Sequence, residues 1–146
     1  MKQKGTLLDI AIKTKKGLPI HLMNSAEVSI DTGVSNDLRG KPGKRQVTVL
    51  SMEAWKTVCT KLSTNLHWSN RRANLLISGI QLENSTNKLL SIGNVILKIT
   101  GETTPCKLMD EKFKGLKKVL EPNWNGGVTC TVIQGGIIQK GDSVSL

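Results

Sequence analysis

The sequence contains no tyrosine and one phenylalanine, Phe113, and aromatic residues make up 3% of its 146 positions. Proteins that grip nucleic acid by stacking bases need aromatic platforms, and this chain supplies few. Histidine is also scarce. His21 and His67 have no partner at catalytic spacing, so neither receives a role. The three cysteines, Cys59, Cys106 and Cys130, lie far apart without a Cys-x-x-Cys pair. That spacing suggests neither a disulfide framework nor a zinc site, and a reducing compartment, the cytoplasm, fits best. Apolar runs such as Leu75-Leu76-Ile77 fall far short of the roughly twenty residues of a membrane helix. The basic start, Met1-Lys2-Gln3-Lys4, leads into an apolar stretch interrupted by Asp9, unlike a targeting segment. No membrane partner is expected.

Negative charge is the other shortage. Lysine and arginine number 21 against 11 carboxylates, a formal net charge of +10 at pH 7. Such a field gathers anions. With so few aromatics, an anionic cofactor or small molecule is the expected partner, and nucleic acid is a weaker alternative whose binding would fall steeply with salt.

The length is that of one ordinary domain, here residues 1–146, with enough chain to bury a core. Gly5 to Lys13 alternates as a strand with Leu8, Ile10 and Ile12 on one face, and Ala26, Val28 and Ile30 mark a second strand. Between Gly33 and Arg45 runs a polar loop with Asp37 and four basic residues, Arg39, Lys41, Lys44 and Arg45, suited to phosphate capture. Val47 to Leu50 is β-branched. Ser51 is positioned to cap a helix whose stripe is Trp55, Val58, Cys59 and Leu62, which places Cys59 in the core. A basic connector, His67 to Asn74, enters the strand Leu75 to Ser78, with Arg72 and Asn74 alternating toward one side. Leu89 to Ile92 and Val95 to Ile99 read as strands paired around Gly93-Asn94. Met109, Phe113, Leu116 and Leu120 predict one amphipathic helix ending at Pro122. Val128 to Ile133, with Cys130 inward, and two short terminal strands follow. The expected fold is mainly β: a closed or partly closed antiparallel barrel of about seven strands with a few peripheral helices.

The stretch from Ile99 to Met109 carries the chemistry. Thr103 or Thr104 can cap a helix with Pro105 at its first position, which places Cys106 in the first helical turn. Free N–H groups and the macrodipole there favour a thiolate, the form of cysteine that attacks substrates or binds metals. Lys107 adds positive charge. No base sits at a spacing that supports ordinary nucleophilic catalysis.

Taken in order, Gly33-Val34-Ser35-Asn36-Asp37, Lys44 to Ser51 before a helix with Trp55, Arg72-Ala73-Asn74-Leu75-Leu76-Ile77-Ser78-Gly79, Ile92-Gly93, Thr100 to Cys106, Gly135-Gly136-Ile137 and Gly141-Asp142 resemble the MOSC domain. This is the module at the C-terminus of molybdenum cofactor sulfurases, found also in the mitochondrial amidoxime reducing component and as small free-standing bacterial proteins. The likeness runs from about Gly5 to Leu146. It implies a closed β-barrel and a bound molybdenum–pterin cofactor, with pyridoxal phosphate binding as a further family-level association. By the same likeness Cys106 would ligate molybdenum or carry a persulfide sulfur, two roles for a soft thiolate. Arg45, Arg72 and Asn74 would line the pocket and hold phosphate and pterin edge, Asp37 would orient the basic loop, and Arg39 would add charge. Asn36 and Leu38 stand where the family usually has a glycine and a basic residue. The resemblance therefore suggests an oxidoreductase acting on N-hydroxylated compounds or a sulfur transferase, served by a separate electron or sulfur donor protein; a non-enzymatic sulfur or cofactor carrier is the alternative.

Overall fold

A computed structural model describes residues 2–146. The elements in chain order are strands β1 (Lys4–Ile12), β2 (His21–Met23), β3 (Ser25–Ser29), β4 (Gly33–Val34) and β5 (Val47–Ser51), helix α1 (Met52–Lys61), strands β6 (Leu75–Ser78), β7 (Leu89–Ile92) and β8 (Val95–Glu102), helices α2 (Met109–Lys112) and α3 (Leu116–Leu120), and strands β9 (Val128–Gln134), β10 (Gly136–Gln139) and β11 (Ser143–Ser145). Seven strands close a barrel in the order β11, β7, β8, β9, β5, β6, β1, with β1 pairing back onto β11 from Lys4 opposite Ser145 to Thr6 opposite Ser143. Strand β2 extends one end of β1, and β10, β3 and β4 form a separate three-stranded sheet. The barrel is antiparallel except at one seam. There β5 and β6 run parallel because α1 and a 3₁₀ turn, Trp68–Arg71, carry the chain back to the same end.

Alternation along the strands separates two apolar layers. Val47 and Val49 of β5 point into the barrel with Leu97, Ile99, Val128 and Cys130, while Leu50 points out toward the helices with Leu76 and Ala11. The expected inward face of β1 is corrected by a β-bulge. Leu7 pairs with Ile77 and Asp9 with Leu76, so Leu8 is the extra residue. The bulge shifts the alternation by one position. Leu7, Ile10 and Ile12 therefore fill the barrel, and Leu8 packs on the outer layer instead.

Helix α1 forms as its sequence predicts. The Ser51 hydroxyl accepts from the Ala54 N–H at 3.2 Å, and Trp55 and Val58 are buried against the barrel wall. Burying such a side chain contributes about 1.5–3 kcal/mol. Cys59 is half-buried at the edge of this layer. The single helix expected over Met109 to Leu120 is instead two short ones, because Gly115 takes φ 88 and Phe113 is extended between them. The Asp110 carboxylate accepts from the Lys117 N–H at 3.0 Å and starts the second piece. Met109, Leu116 and Leu120 still reach the outer layer. Their spacing marks a buried stripe that a broken helix presents as well as a continuous one.

Candidate functional site

The polar loop after β4 is fixed at both ends. Asn36 adopts φ 68, a left-handed turn that asparagine tolerates. Asp37 then accepts from the Lys13 N–H at 3.0 Å and the Arg39 N–H at 3.1 Å, which fastens the turn to the end of β1. At the far end the buried Gln46 side chain donates to the carbonyls of Ile30 at 2.7 Å and Gly40 at 3.1 Å, and accepts from the Val132 N–H at 2.9 Å. Gly40 must be glycine, since a Cβ there would overlap the Thr32 carbonyl. The Thr100 hydroxyl donates to the Lys44 carbonyl at 2.5 Å. Arg39, Lys41, Lys44 and Arg45 therefore project from a braced loop.

The connector into β6 supplies the opposite wall. His67 caps the 3₁₀ turn by accepting from the Ser69 N–H, and Arg72 ends it with φ 62. The reversal sends neighbouring arginines to different places. Arg72 is half-exposed at the groove, whereas Arg71 is buried and 7% exposed. Asn74 is buried too. Its Oδ1 accepts from the Thr48 N–H at 3.0 Å and hydroxyl at 3.2 Å, and its Nδ2 donates to the Ala11 carbonyl at 3.3 Å. Most of its hydrogen-bonding capacity is spent on the barrel.

Cys106 does not occupy a helix start, which corrects the local expectation. It precedes α2 by three residues, and its carbonyl accepts from the Met109 N–H at 3.0 Å. Neither threonine caps a helix. The four residues of α2 have no side-chain cap, so no macrodipole argument applies to the thiol. Instead Cys106 is exposed on a loop held from below by Arg71. Arg71 Nε donates to the Gly126 carbonyl at 3.0 Å, Nη2 to the Thr103 carbonyl at 3.0 Å, and Nη1 reaches Met109 Sδ at 3.7 Å. A Cβ on Gly126 would lie 2.7 Å from the Thr103 carbonyl oxygen and 3.1 Å from Arg71 Nη2, so only glycine admits the guanidinium. Arg71 is the site residue that sequence reasoning missed.

These elements enclose a groove of about 870 Å³. At one end lie Cys106, Thr103, Arg71 and Gly126. At the other the groove narrows among Lys13, Arg39, Arg45, Arg72 and Asn74, with Asp37 beside them. Glu111 is the one carboxylate along the wide part, against eight lysines and arginines. The crowding shifts the proton affinities of the basic groups. Lys13 is held below the usual lysine value, chiefly by Arg72, then by burial, Lys112 and Arg39. Partial burial lowers Arg72, Arg39 lowers it further, and Asp37 and Cys106 raise it. Burial pulls Arg71 down to about 10, Cys106 opposes and Arg45 assists, so Arg71 stays protonated at neutral pH. Cys130 is different in kind. Sealed inside the barrel, its thiol is pushed up to about 12 by burial alone.

Of the residues expected at the site, Cys106, Arg45, Arg72, Asn74, Asp37 and Arg39 all line this groove or its narrow end. Among the described residues no three His, Cys, Asp or Glu side chains gather as a metal site. Nor is any helix among them long and apolar enough to cross a membrane.

The fold and groove define a small β-barrel protein whose basic groove runs from a narrow arginine-lined end to an exposed thiol. The MOSC domain model matches residues 19–145, and the chain belongs to the MOSC domain family. Among solved structures, YuaD of Bacillus subtilis is similar with a TM-score of 0.84 and 18% identity, over 99% of this chain and 96% of that one. YiiM of Geobacillus stearothermophilus is similar with a TM-score of 0.75 and 12% identity, over 97% of this chain and 75% of that one. YiiM of Escherichia coli is similar with a TM-score of 0.73 and 11% identity, over 97% and 69%. At these identities the likeness is one of fold. None of the curated proteins compared matches the chain.

Proposed function

We propose that this MOSC protein binds a molybdenum–pterin cofactor in the basic groove and uses Cys106 as its soft ligand, acting on a small substrate in the cytoplasm as an oxidoreductase or sulfur transferase. The observation that carries this reading is one groove joining a cluster of cations to an exposed thiol. The residues fit the group. Arg45 and Arg72, with Lys13 and Arg39 around them, offer forks and point charges for a phosphate, and Asp37 keeps the loop that bears Arg39 fastened to β1. Cys106 offers one soft donor. A single thiolate does not hold a metal ion alone, so a metal there would arrive with ligands of its own, as a pterin-bound metal does. When bound, the group would supply two-electron or sulfur chemistry that side chains lack. The chain's own part is to bind its anionic end, to place Cys106 through Arg71, and to leave the sulfur reachable.

That reachability also favours a second reading, a carrier that presents sulfur on Cys106 to a partner enzyme. Protein purified without oxygen from a cofactor-producing host separates the two. The cofactor reading expects molybdenum and pterin near one per chain, with the metal lost in Cys106→Ala. The carrier reading expects a persulfide on Cys106 by mass spectrometry and no turnover with a supplied reductant. Protein with neither metal nor pterin, unaltered by Cys106→Ala, overturns the cofactor reading.

A further inference from the structure

Arg71 is a buried cation without a carboxylate partner: its three contacts are two backbone carbonyls and a thioether. The ion pairs among the described residues, Lys117 with Glu121 and Lys140 with Asp9, do not involve it. Burying a charge is unfavourable unless another charge compensates it. Both terminal nitrogens of Arg71 keep an N–H to spare. Next to it lies a second unmet need. The Thr103 hydroxyl is buried and has no hydrogen-bond partner, the sole side-chain atom of that kind among the described residues. Buried polar groups are almost always paired, so an orphan in a groove wall marks a place for a water or a ligand oxygen. Arg71 Nη2 donates to the Thr103 backbone carbonyl at 3.0 Å, so the orphan hydroxyl belongs to a residue the guanidinium already holds, on the wall that carries Cys106 and not at the narrow end.

A cation or an apolar group answers neither need, and water would satisfy the hydroxyl while leaving the charge offset only by the Cys106 sulfur, which makes no hydrogen bond to the guanidinium. An anionic oxygen accepts from both donors. We propose that Arg71 and Thr103 form a subsite for the anionic oxygen group of a small substrate beside the Cys106 sulfur, separate from the phosphate position at Arg45 and Arg72. This rests on the reading of the groove as a ligand groove but not on the identity of the cofactor. Gly126 belongs to the subsite as the space in which the guanidinium lies. Substrates of this class carry a carboxylate, a phosphate or a sulfur oxyanion one short step from the atom that meets Cys106.

The test uses the full chain, free of cofactor, titrated at constant ionic strength with inorganic phosphate and separately with acetate, while nuclear magnetic resonance follows the Arg71 Nε–H and the Thr103 amide. The expected result is saturable movement of both signals, slower alkylation of Cys106 in the bound state, and binding about tenfold weaker in Thr103→Val, with Thr103→Ser near the parent. The stronger of the two anions names the class, tetrahedral or carboxylate. Thr103→Val keeps the side-chain shape and removes an unpaired hydroxyl, so without anion it should be at least as stable as the parent. Movement confined to Arg45 and Arg72, or equal affinity in Thr103→Val, overturns the subsite. A chain that binds phosphate at Arg71 yet carries no molybdenum or pterin leaves the subsite standing and removes the cofactor reading.

Discussion

Asn74 and Thr48 are joined four times: Asn74 Oδ1 accepts from the Thr48 N–H and hydroxyl, and the Asn74 N–H donates to the Thr48 carbonyl and hydroxyl oxygens. The pair stitches β5 to the start of β6 at the parallel seam, where Nδ2 adds the Ala11 carbonyl of β1. The amide that family resemblance offers to a pterin thus serves first as a strut between three strands. Asn74→Ala should lower unfolding stability by about 2–3 kcal/mol, because it leaves the Thr48 N–H and the Ala11 carbonyl without their side-chain partner in a buried place. Urea unfolding of the cofactor-free protein measures it. A change below about 0.5 kcal/mol would mean the strut is dispensable.

Gln46 governs the basic loop in the same manner. Its side chain is shared between Ile30 and Gly40 on one side and the Val132 N–H on the other, so the loop that carries Arg39 and Arg45 is pinned to β9. Gln46→Leu should cost about 2 kcal/mol and open the segment between 36 and 45 to proteolysis. Limited trypsin digestion reads this directly, since Arg39, Lys41, Lys44 and Arg45 are all potential cut sites. Cleavage at parent rates would show that Asp37 and Thr100 hold the loop unaided.

The thiols separate by position. Cys106→Ser should change stability by no more than about 0.5 kcal/mol, since the side chain is exposed, and should remove the fastest-alkylating thiol. Cys130 should resist alkylation until the barrel unfolds. Its titration has a definite sign. The thiol ionises near 9 when exposed and about 12 when folded, so between those values the unfolded chain has lost a proton that the folded chain keeps. Stability therefore falls as pH rises above 9, by about 1 kcal/mol at pH 10 from this group alone. Comparing the parent with Cys130→Val by urea unfolding at pH 8 and pH 10 isolates the effect of this thiol: the variant should gain relative to the parent by that amount, and a constant difference would contradict it.

How much of this could be read from the residues depends on the scale of the feature. The strands around Val47, Leu75, Val95 and Val128, the hairpin at Gly93 and the Ser51 cap follow from short-range patterns that the fold leaves intact. Features that fail are those where one residue breaks a period. Leu8 is displaced by a bulge that no alternation announces, and Gly115 splits a helix whose apolar spacing stays regular. Proline followed by cysteine resembles a helix opening, yet the helix begins three residues after Cys106, and the Thr103 N–H instead pairs with the Gly127 carbonyl. Arg71 was hidden for another reason. In a basic connector it looks like any solvated arginine, and what buries it are Gly126 and Thr103, 55 and 32 residues away. The left-handed turn at Arg72 that separates the two arginines has no glycine to advertise it.

Gly126 offers a way to disturb the thiol end of the groove without changing any charge. A methyl group there presses on the Thr103 carbonyl at 2.7 Å, which is backbone and yields only by moving the loop, and on the Arg71 guanidinium at 3.1 Å. Gly126→Ala should therefore cost about 1–3 kcal/mol through strain and lost hydrogen bonds to Arg71. It should shift the Arg71 Nε–H and Thr103 amide resonances while leaving those of Arg45 and Arg72 in place, because the narrow end is braced separately by Gln46 and Asp37. If both ends of the groove respond together, the loop after β4 and the Cys106 loop form one mechanical unit. If only the thiol end responds, the Cys106 loop is positioned by its own contacts, Arg71 with Thr103 and Gly126 among them, independently of the loop after β4.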